Sequence, residues 1–136
     1  VQSQSTTMAT SISQWAAVEA LTGPQEFLKD RAASFQARRD RVLELLGAVP
    51  GLSAHKPEGA FYLFVHCGKL IGRRTPQGTV LATEEDIVLY LLDGGVAVVV
   101  GAAYGMSPYF RMSIATDMAT LEDACSRMHK AVAALQ

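Results

Sequence analysis

The apolar residues of this chain repeat at helical spacing up to Val49 and change to strand patterns from Leu52 to His66, with Pro50-Gly51 at the change. Leu28, Ala32, Phe35, Val42, Leu46 and Val49 recur at three- and four-residue intervals, so Gln25 to Val49 reads as one long amphipathic helix. Ala60-Phe61-Tyr62-Leu63-Phe64-Val65-His66 is rich in aromatic and branched side chains and apolar at both alternating sets of positions, as in a strand covered on both faces. The two periods together point to an α/β fold of the α+β kind, a short sheet covered by helices.

The remaining elements follow from punctuation. Ser11-Ile12-Ser13-Gln14 fits a capping box and opens a helix to about Leu21, and Thr22-Gly23-Pro24 forms a sharp junction in which Pro24 suits a first helical position. Leu52 to Lys56 is a short strand, Pro57-Glu58-Gly59 a turn, and Gly68 to Ala82 a long loop of a kind that is often functional or mobile. Thr83 begins a helix with Glu84, Glu85 and Asp86 near its positive end, closed by Gly94-Gly95. Val96 to Val100 and Phe110 to Ala115 are strands flanking the small-residue loop Gly101 to Pro108. Thr116 or Asp117 caps a last helix whose stripe is Leu121, Cys125, Met128, Val132 and Leu135. The two strand pairs are close enough in sequence to be antiparallel neighbours, with the intervening helix as a crossover.

Composition narrows the function classes. Twelve Lys and Arg oppose thirteen Asp and Glu, a net charge of -1 that argues against a general grip on nucleic acid or on an anionic membrane. Lys29, Arg38, Arg39 and Arg41 cluster on the long helix, but Glu26, Asp30, Asp40 and Glu44 are interleaved with them, as on a solvated mixed-charge face. The 49% apolar content excludes disorder and suggests that part of the surface is buried against something else. The stretch from Gly95 to Met106 is too short and glycine-rich to cross a bilayer, and Val1 to Thr7 is no signal peptide but reads as a chain cut in mid-course. Cys67 and Cys125 lack any metal-ligand or disulfide spacing, and a reducing cytoplasm is the expected location.

Spacing reveals little chemistry. His55, His66 and His129 stand in three different elements, and the glycines around Gly94 and Gly101 form no phosphate-binding fingerprint. Neither a catalytic residue nor a metal ligand is indicated. Arg111 is the exception. The alternation of Phe110 to Ala115 sends Phe110, Met112 and Ile114 to one face and Arg111, Ser113 and Ala115 to the other. A planar fork fixed on a strand suits a carboxylate, whether a ligand's or that of an internal partner such as Asp86 or Asp123.

Several segments taken in order resemble class I aminotransferases. They are Gln2 to Thr7, Thr10 to Leu21, Pro57-Glu58-Gly59-Ala60-Phe61-Tyr62, Gly95-Val96-Ala97-Val98-Val99 and Phe110-Arg111-Met112-Ser113-Ile114-Ala115-Thr116. The chain is similar throughout to the C-terminal portion of a fold-type I, pyridoxal-phosphate-dependent aspartate aminotransferase of the bacterial and plant subgroup. The resemblance implies that residues 1–23 end the large cofactor-binding domain and residues 24–136 form the small domain. It implies that Arg111 holds the α-carboxylate of an amino-acid substrate and that Phe61 lines the substrate cleft, where a core aromatic is the alternative. Ser3 to Thr7 matches a loop near the subunit interface of the family's homodimers, although many relatives have Asn-Pro where this chain has Met8-Ala9.

The family's cofactor-bearing lysine sits in a Ser-Lys motif, a context that Lys29, Lys56, Lys69 and Lys130 lack. The expectation is therefore that pyridoxal phosphate is held by a preceding segment, that this chain supplies no cofactor-binding residue, and that it is inactive alone. The implied substrates are an amino acid and a 2-oxo acid, with aspartate and 2-oxoglutarate the expected pair. A ligand-sensing aminotransferase-like domain of a transcription regulator would share these motifs, and an autonomous α+β binding module is a third reading.

Overall fold

The computed structural model describes residues 8–136, in two compact units divided between Ala33 and Ser34. The Ser3 to Thr7 motif lies outside the described residues. In the first unit, helix α1 spans Ser11–Thr22, and helix α2, Phe27–Gly47, begins here and runs across the division. The cap of α1 is Thr10, one residue before the position read from sequence: its extended backbone lets Oγ1 accept from the Ser13 N–H at 3.4 Å. Gln14 instead donates its side-chain amide to the Ala9 carbonyl at 2.8 Å. Pro24 does not open α2 either. Gln25 Nε2 donates to the carbonyls of Ala20 and Gly23 at 3.0 Å each, which holds the junction non-helical until Phe27. The large apolar side chains of α1, Ile12, Trp15, Val18 and Leu21, are all exposed.

The second unit is built on a four-stranded, wholly antiparallel sheet: β1 (Ser53–Ala54), β2 (Tyr62–His66), β3 (Val99–Val100) and β4 (Tyr109–Ser113), in the order β1-β2-β4-β3. The central register pairs Leu63 with Met112, Phe64 with Arg111 and Val65 with Phe110, and β3 sets Val99 beside Arg111. Both outer strands are shorter than read, because their ends are tied to neighbouring turns. The Val96 N–H donates to Leu91 O at 2.9 Å at the end of a helix, and the Leu52 N–H donates to Val49 O at 3.2 Å. Helix α3 (Glu84–Asp93) carries the capping box Thr83/Asp86, and helix α4 (Met118–Ala133) is capped by Asp117, which accepts from the Thr120 N–H at 2.9 Å.

The core lies between the sheet and three helices. Leu63 and Val65 of β2, Phe110 and Met112 of β4 and Ile114 just past it join Val42 and Leu46 of α2, Ile87 and Leu91 of α3, and Leu121, Cys125, Met128 and Val132 of α4 in one buried cluster. Each large side chain so buried contributes roughly 1.5–3 kcal/mol, enough to fix which face of every strand points inward. The expectation that β2 is covered on both faces is corrected: Tyr62, Phe64 and His66 alternate with the buried residues and stay half-exposed. The Gly68–Ala82 segment is likewise no free loop. A 3-10 turn (Gly68–Leu70) opens it, Arg74 and Val80 bridge, and the backbones of Arg74 and Gln136 bond reciprocally at 3.0 and 2.8 Å, stapling it to the C-terminus.

Candidate functional site

Three elements meet at Arg111. β4 presents the side chain on the non-core face, half-buried, while Phe110 and Met112 on either side are locked into the core. β2 supplies Tyr62 diagonally across the strand pair, with the guanidinium carbon of Arg111 4.2 Å from its ring centroid. The third wall is a second 3-10 turn, Gly101–Tyr104, which brings the Tyr104 ring to 4.4 Å from the same carbon. Two aromatic faces thus hold the charged fork, an arrangement that favours a cation and restricts its rotation without using its N–H donors. The Tyr104 ring is itself set edge-on to Phe64, at 5.8 Å between centroids.

The internal ion pair weighed from sequence is absent. Asp86 closes the capping box of α3, Asp123 accepts from Arg127 at 2.7 Å, and among the described residues Arg111 has no carboxylate within 4.0 Å. Its donors are therefore left without a carboxylate partner among the described residues. The other cations are occupied differently: Arg39 and Lys56 both pair with Asp40, and Arg41 bridges Glu44 and Glu122. These neighbours hold the Asp40 carboxyl below its ordinary range, Arg39 first. Arg38 lies over the Phe35 ring at 5.2 Å.

Phe61 is 41% exposed, so it is no core aromatic. Its ring lies 4.3 Å from Tyr62 and 6.3 Å from Phe35, and its carbonyl accepts from the Ile114 N–H at 2.9 Å, just past β4. Phe61 is thereby joined to Arg111 through Tyr62. The residue before it, Ala60, has φ +60°, a left-handed conformation that costs a side-chain-bearing residue about 1 kcal/mol or more. That strain sits at the entrance to β2, where the chain must turn to set Phe61 and Tyr62 side by side.

The Gly101–Tyr104 turn carries the residue that sequence reading passed over. Gly101 is required by close approach, since a Cβ there would lie 2.1 Å from the Met106 carbonyl oxygen and 2.4 Å from that of Tyr109. Gly105 closes the turn with φ +70°. Glu84, at the start of α3 and only 6% exposed, accepts from the Ala102 N–H at 2.8 Å and from the Ser107 hydroxyl. The available signal was that Tyr104 is the one large side chain in a run of glycines and alanines.

No group of three or more potential metal ligands occurs among the described residues. His66 stacks edge-on against Tyr109 at 5.0 Å, while His55 and His129 are exposed. Lys29, Lys56, Lys69 and Lys130 are exposed too, and none offers the shielded amine that would carry a covalent cofactor. The 440 Å³ hollow lined by Gln77, Tyr90, Asp93, Gly94, Arg127, Lys130 and Ala131 shares no residue with the Arg111 face. What the arrangement offers is recognition: beside an aromatic surface stands a guanidinium with no carboxylate partner among the described residues.

Residues 1–128 match the family model for aminotransferase class I and II. The chain is 50% identical over 133 residues to the probable aspartate/prephenate aminotransferase of Rickettsia conorii, covering 97% of this chain and 33% of that protein. The crystal structure of the aspartate aminotransferase from Rhizobium meliloti superposes with a TM-score of 0.95 at 50% identity, over 99% of this chain and 34% of that one. The aspartate aminotransferase of Thermus thermophilus with maleate gives 0.81 at 35% identity, over 95% of this chain and 32% of that one. The chain thus spans about a third of the length of the proteins it matches.

Proposed function

The chain belongs to the aminotransferase class I and II family, and we propose that it forms the substrate-carboxylate-binding part of an enzyme that transfers an amino group from an amino acid to a 2-oxo acid. The observation that carries this reading is Arg111, held between Tyr62 and Tyr104 with its donors unmatched by any acid among the described residues. A bidentate bond from that fork to the α-carboxylate fixes the substrate at one end, so that its Cα–H bond is presented in one orientation. Phe61, next along the aromatic row, lines the cleft beside the bound substrate. Aspartate and 2-oxoglutarate are the proposed pair, supported by the names of the relatives and by the dicarboxylate maleate in the Thermus structure.

Class I aminotransferases generally use pyridoxal phosphate, which supplies the electron sink for proton loss at Cα. The four exposed lysines do not fit its covalent attachment, so the part of this chain is binding and orientation, and the attachment belongs to a segment outside it. Residues 1–23 are read as the end of the large domain and residues 24–136 as the small domain. The exposed Ile12, Trp15 and Leu21 of α1 support this, as side chains that the complete enzyme, a homodimer in this reading, covers. A cytoplasmic location is proposed from the two free cysteines. No helix among the described residues is long and apolar enough to cross a membrane.

The test is Arg111→Leu in the full-length enzyme. Loss of a charge-assisted bond to the carboxylate, about 1.5–3 kcal/mol, raises KM for the amino donor by roughly tenfold to a hundredfold while the cofactor absorbance stays intact. An unchanged KM overturns the assignment.

A further inference from the structure

Glu84 is a buried acid with no cation beside it. Among the described residues no Lys, Arg or His nitrogen lies within 4.0 Å, and its two oxygens are satisfied by the Ala102 N–H and the Ser107 hydroxyl. The start of α3 adds the favourable end of a helix dipole. A carboxylate that is 6% exposed and held only by neutral donors is costly to keep for stability alone.

Its partners say what it holds. Ala102 and Ser107 lie on either side of Tyr104 in the chain, so the one carboxylate grips the turn before and after the ring that covers Arg111. Within the turn, the Gly105 N–H bonds to Ala102 O at 3.0 Å and the Met106 N–H to Gly101 O at 3.1 Å, which makes the segment from Gly101 to Ser107 one closed loop hung from Glu84. The other aromatic wall of the guanidinium is Tyr62, on the central pair of strands. Of the two walls, only that of Tyr104 stands on a turn and needs such a tether.

We propose that Glu84 is a positioning residue for Arg111, acting through the Gly101–Tyr104 turn to keep the Tyr104 ring against the guanidinium and so to fix the direction of its carboxylate-binding fork. The proposal rests on the carboxylate-anchoring role of Arg111. It implies that disturbing Glu84 damages recognition of the α-carboxylate and leaves the rest of the substrate site intact.

The experiment uses the full-length enzyme and two amino donors: the amino acid, and the corresponding amine without an α-carboxylate, followed by single-turnover loss of the cofactor absorbance. Glu84→Gln and Tyr104→Ala each raise KM for the amino acid by about threefold to tenfold, the size of a half-desolvated cation–aromatic contact, and change the reaction of the amine by less than about twofold. Tyr104→Phe restores the wild-type KM because it keeps the ring. In the Tyr104→Ala background Glu84→Gln adds nothing further, since the two residues act on one chain of contacts. If Glu84→Gln does not fold, Ser107→Ala removes one of the two tethers and raises KM for the amino acid by about twofold, again without effect on the amine. A normal KM in these variants, or an equal loss with both donors, overturns the proposal while Arg111→Leu remains defective. A normal KM in Arg111→Leu itself overturns the reading beneath it.

Discussion

The guanidinium carbon of Arg111 stands 4.2 Å from the centroid of the Tyr62 ring, diagonally across the β2–β4 pair in which Arg111 itself faces Phe64. The contact restricts where the guanidinium can lie and leaves its charge unchanged. Arg111→Lys is therefore expected to behave almost as badly as Arg111→Leu. An ammonium keeps the charge but loses the planar pair of donors and the stacking surface, so KM for the amino donor should rise at least about tenfold in steady-state kinetics. Full activity in the lysine variant would show that charge alone suffices.

Which parts of this were legible in the sequence is instructive. The alternation Phe110, Met112, Ile114 against Arg111 and Ser113 was readable because burial fixes strand register through a period of two. The cap of α4 was readable to within one residue, Thr116 or Asp117, because both side chains can accept from a free N–H of the first turn, and the structure assigns it to Asp117. The lengths of β1 and β3 were not, since Val96 and Leu52 lose their ladder positions to hydrogen bonds with Leu91 and Val49. Neither was the tether from Glu84 to Ala102 and Ser107, whose partners lie 18 and 23 residues away. Helical periodicity records which face of α3 is apolar, and it carries no information about which loop a lone acid will reach.

Gly101→Ala tests how closely that turn is packed. The added methyl carbon would lie 2.1 Å from one carbonyl oxygen and 2.4 Å from another, both backbone atoms that cannot swing away as a side chain would. The variant should lose about 1–3 kcal/mol of stability, in the range of overpacked interiors, and its KM for the amino donor should rise as Tyr104 is displaced. Thermal unfolding together with kinetics checks both. Wild-type behaviour in the two measurements would mean that the turn has room to give.

Two exposed caps make stability depend on acid. The Thr83 backbone N–H, followed by its hydroxyl, holds the Asp86 carboxyl below its ordinary value of 3.8, and the Thr120 hydroxyl followed by its backbone N–H does the same for Asp117. A group depressed in the folded state stabilises above its unfolded value and loses that contribution as pH falls through the folded one. Asp86→Asn and Asp117→Asn should each melt below the wild type at about pH 7, and the gap should narrow below about pH 3.8 as the wild-type carboxyls take up protons. A gap independent of pH would assign the caps to shape rather than charge.

Cys67 and Cys125 lie in the core, 0% and 2% exposed, and burial pushes both thiols up to about 11, with the Glu84 carboxylate adding to the effect at Cys67. At pH 8 only about one molecule in a thousand carries a thiolate at either position, and neither sulfur can be reached without opening the core. Iodoacetamide followed by peptide mass mapping should leave both residues unmodified in the native enzyme and alkylate both in denaturant. Because the folded values are raised, the stabilisation they represent is present below about 9, the ordinary thiol value, and is lost as pH rises through about 11. Selective native labelling of Cys67 would mean that the layer beneath Pro108, whose carbonyl accepts from both the Cys67 N–H and its thiol, opens on the time scale of the reaction. Since that layer also carries Ser107 and the tether from Glu84, such opening should be accompanied by weaker binding of carboxylate substrates.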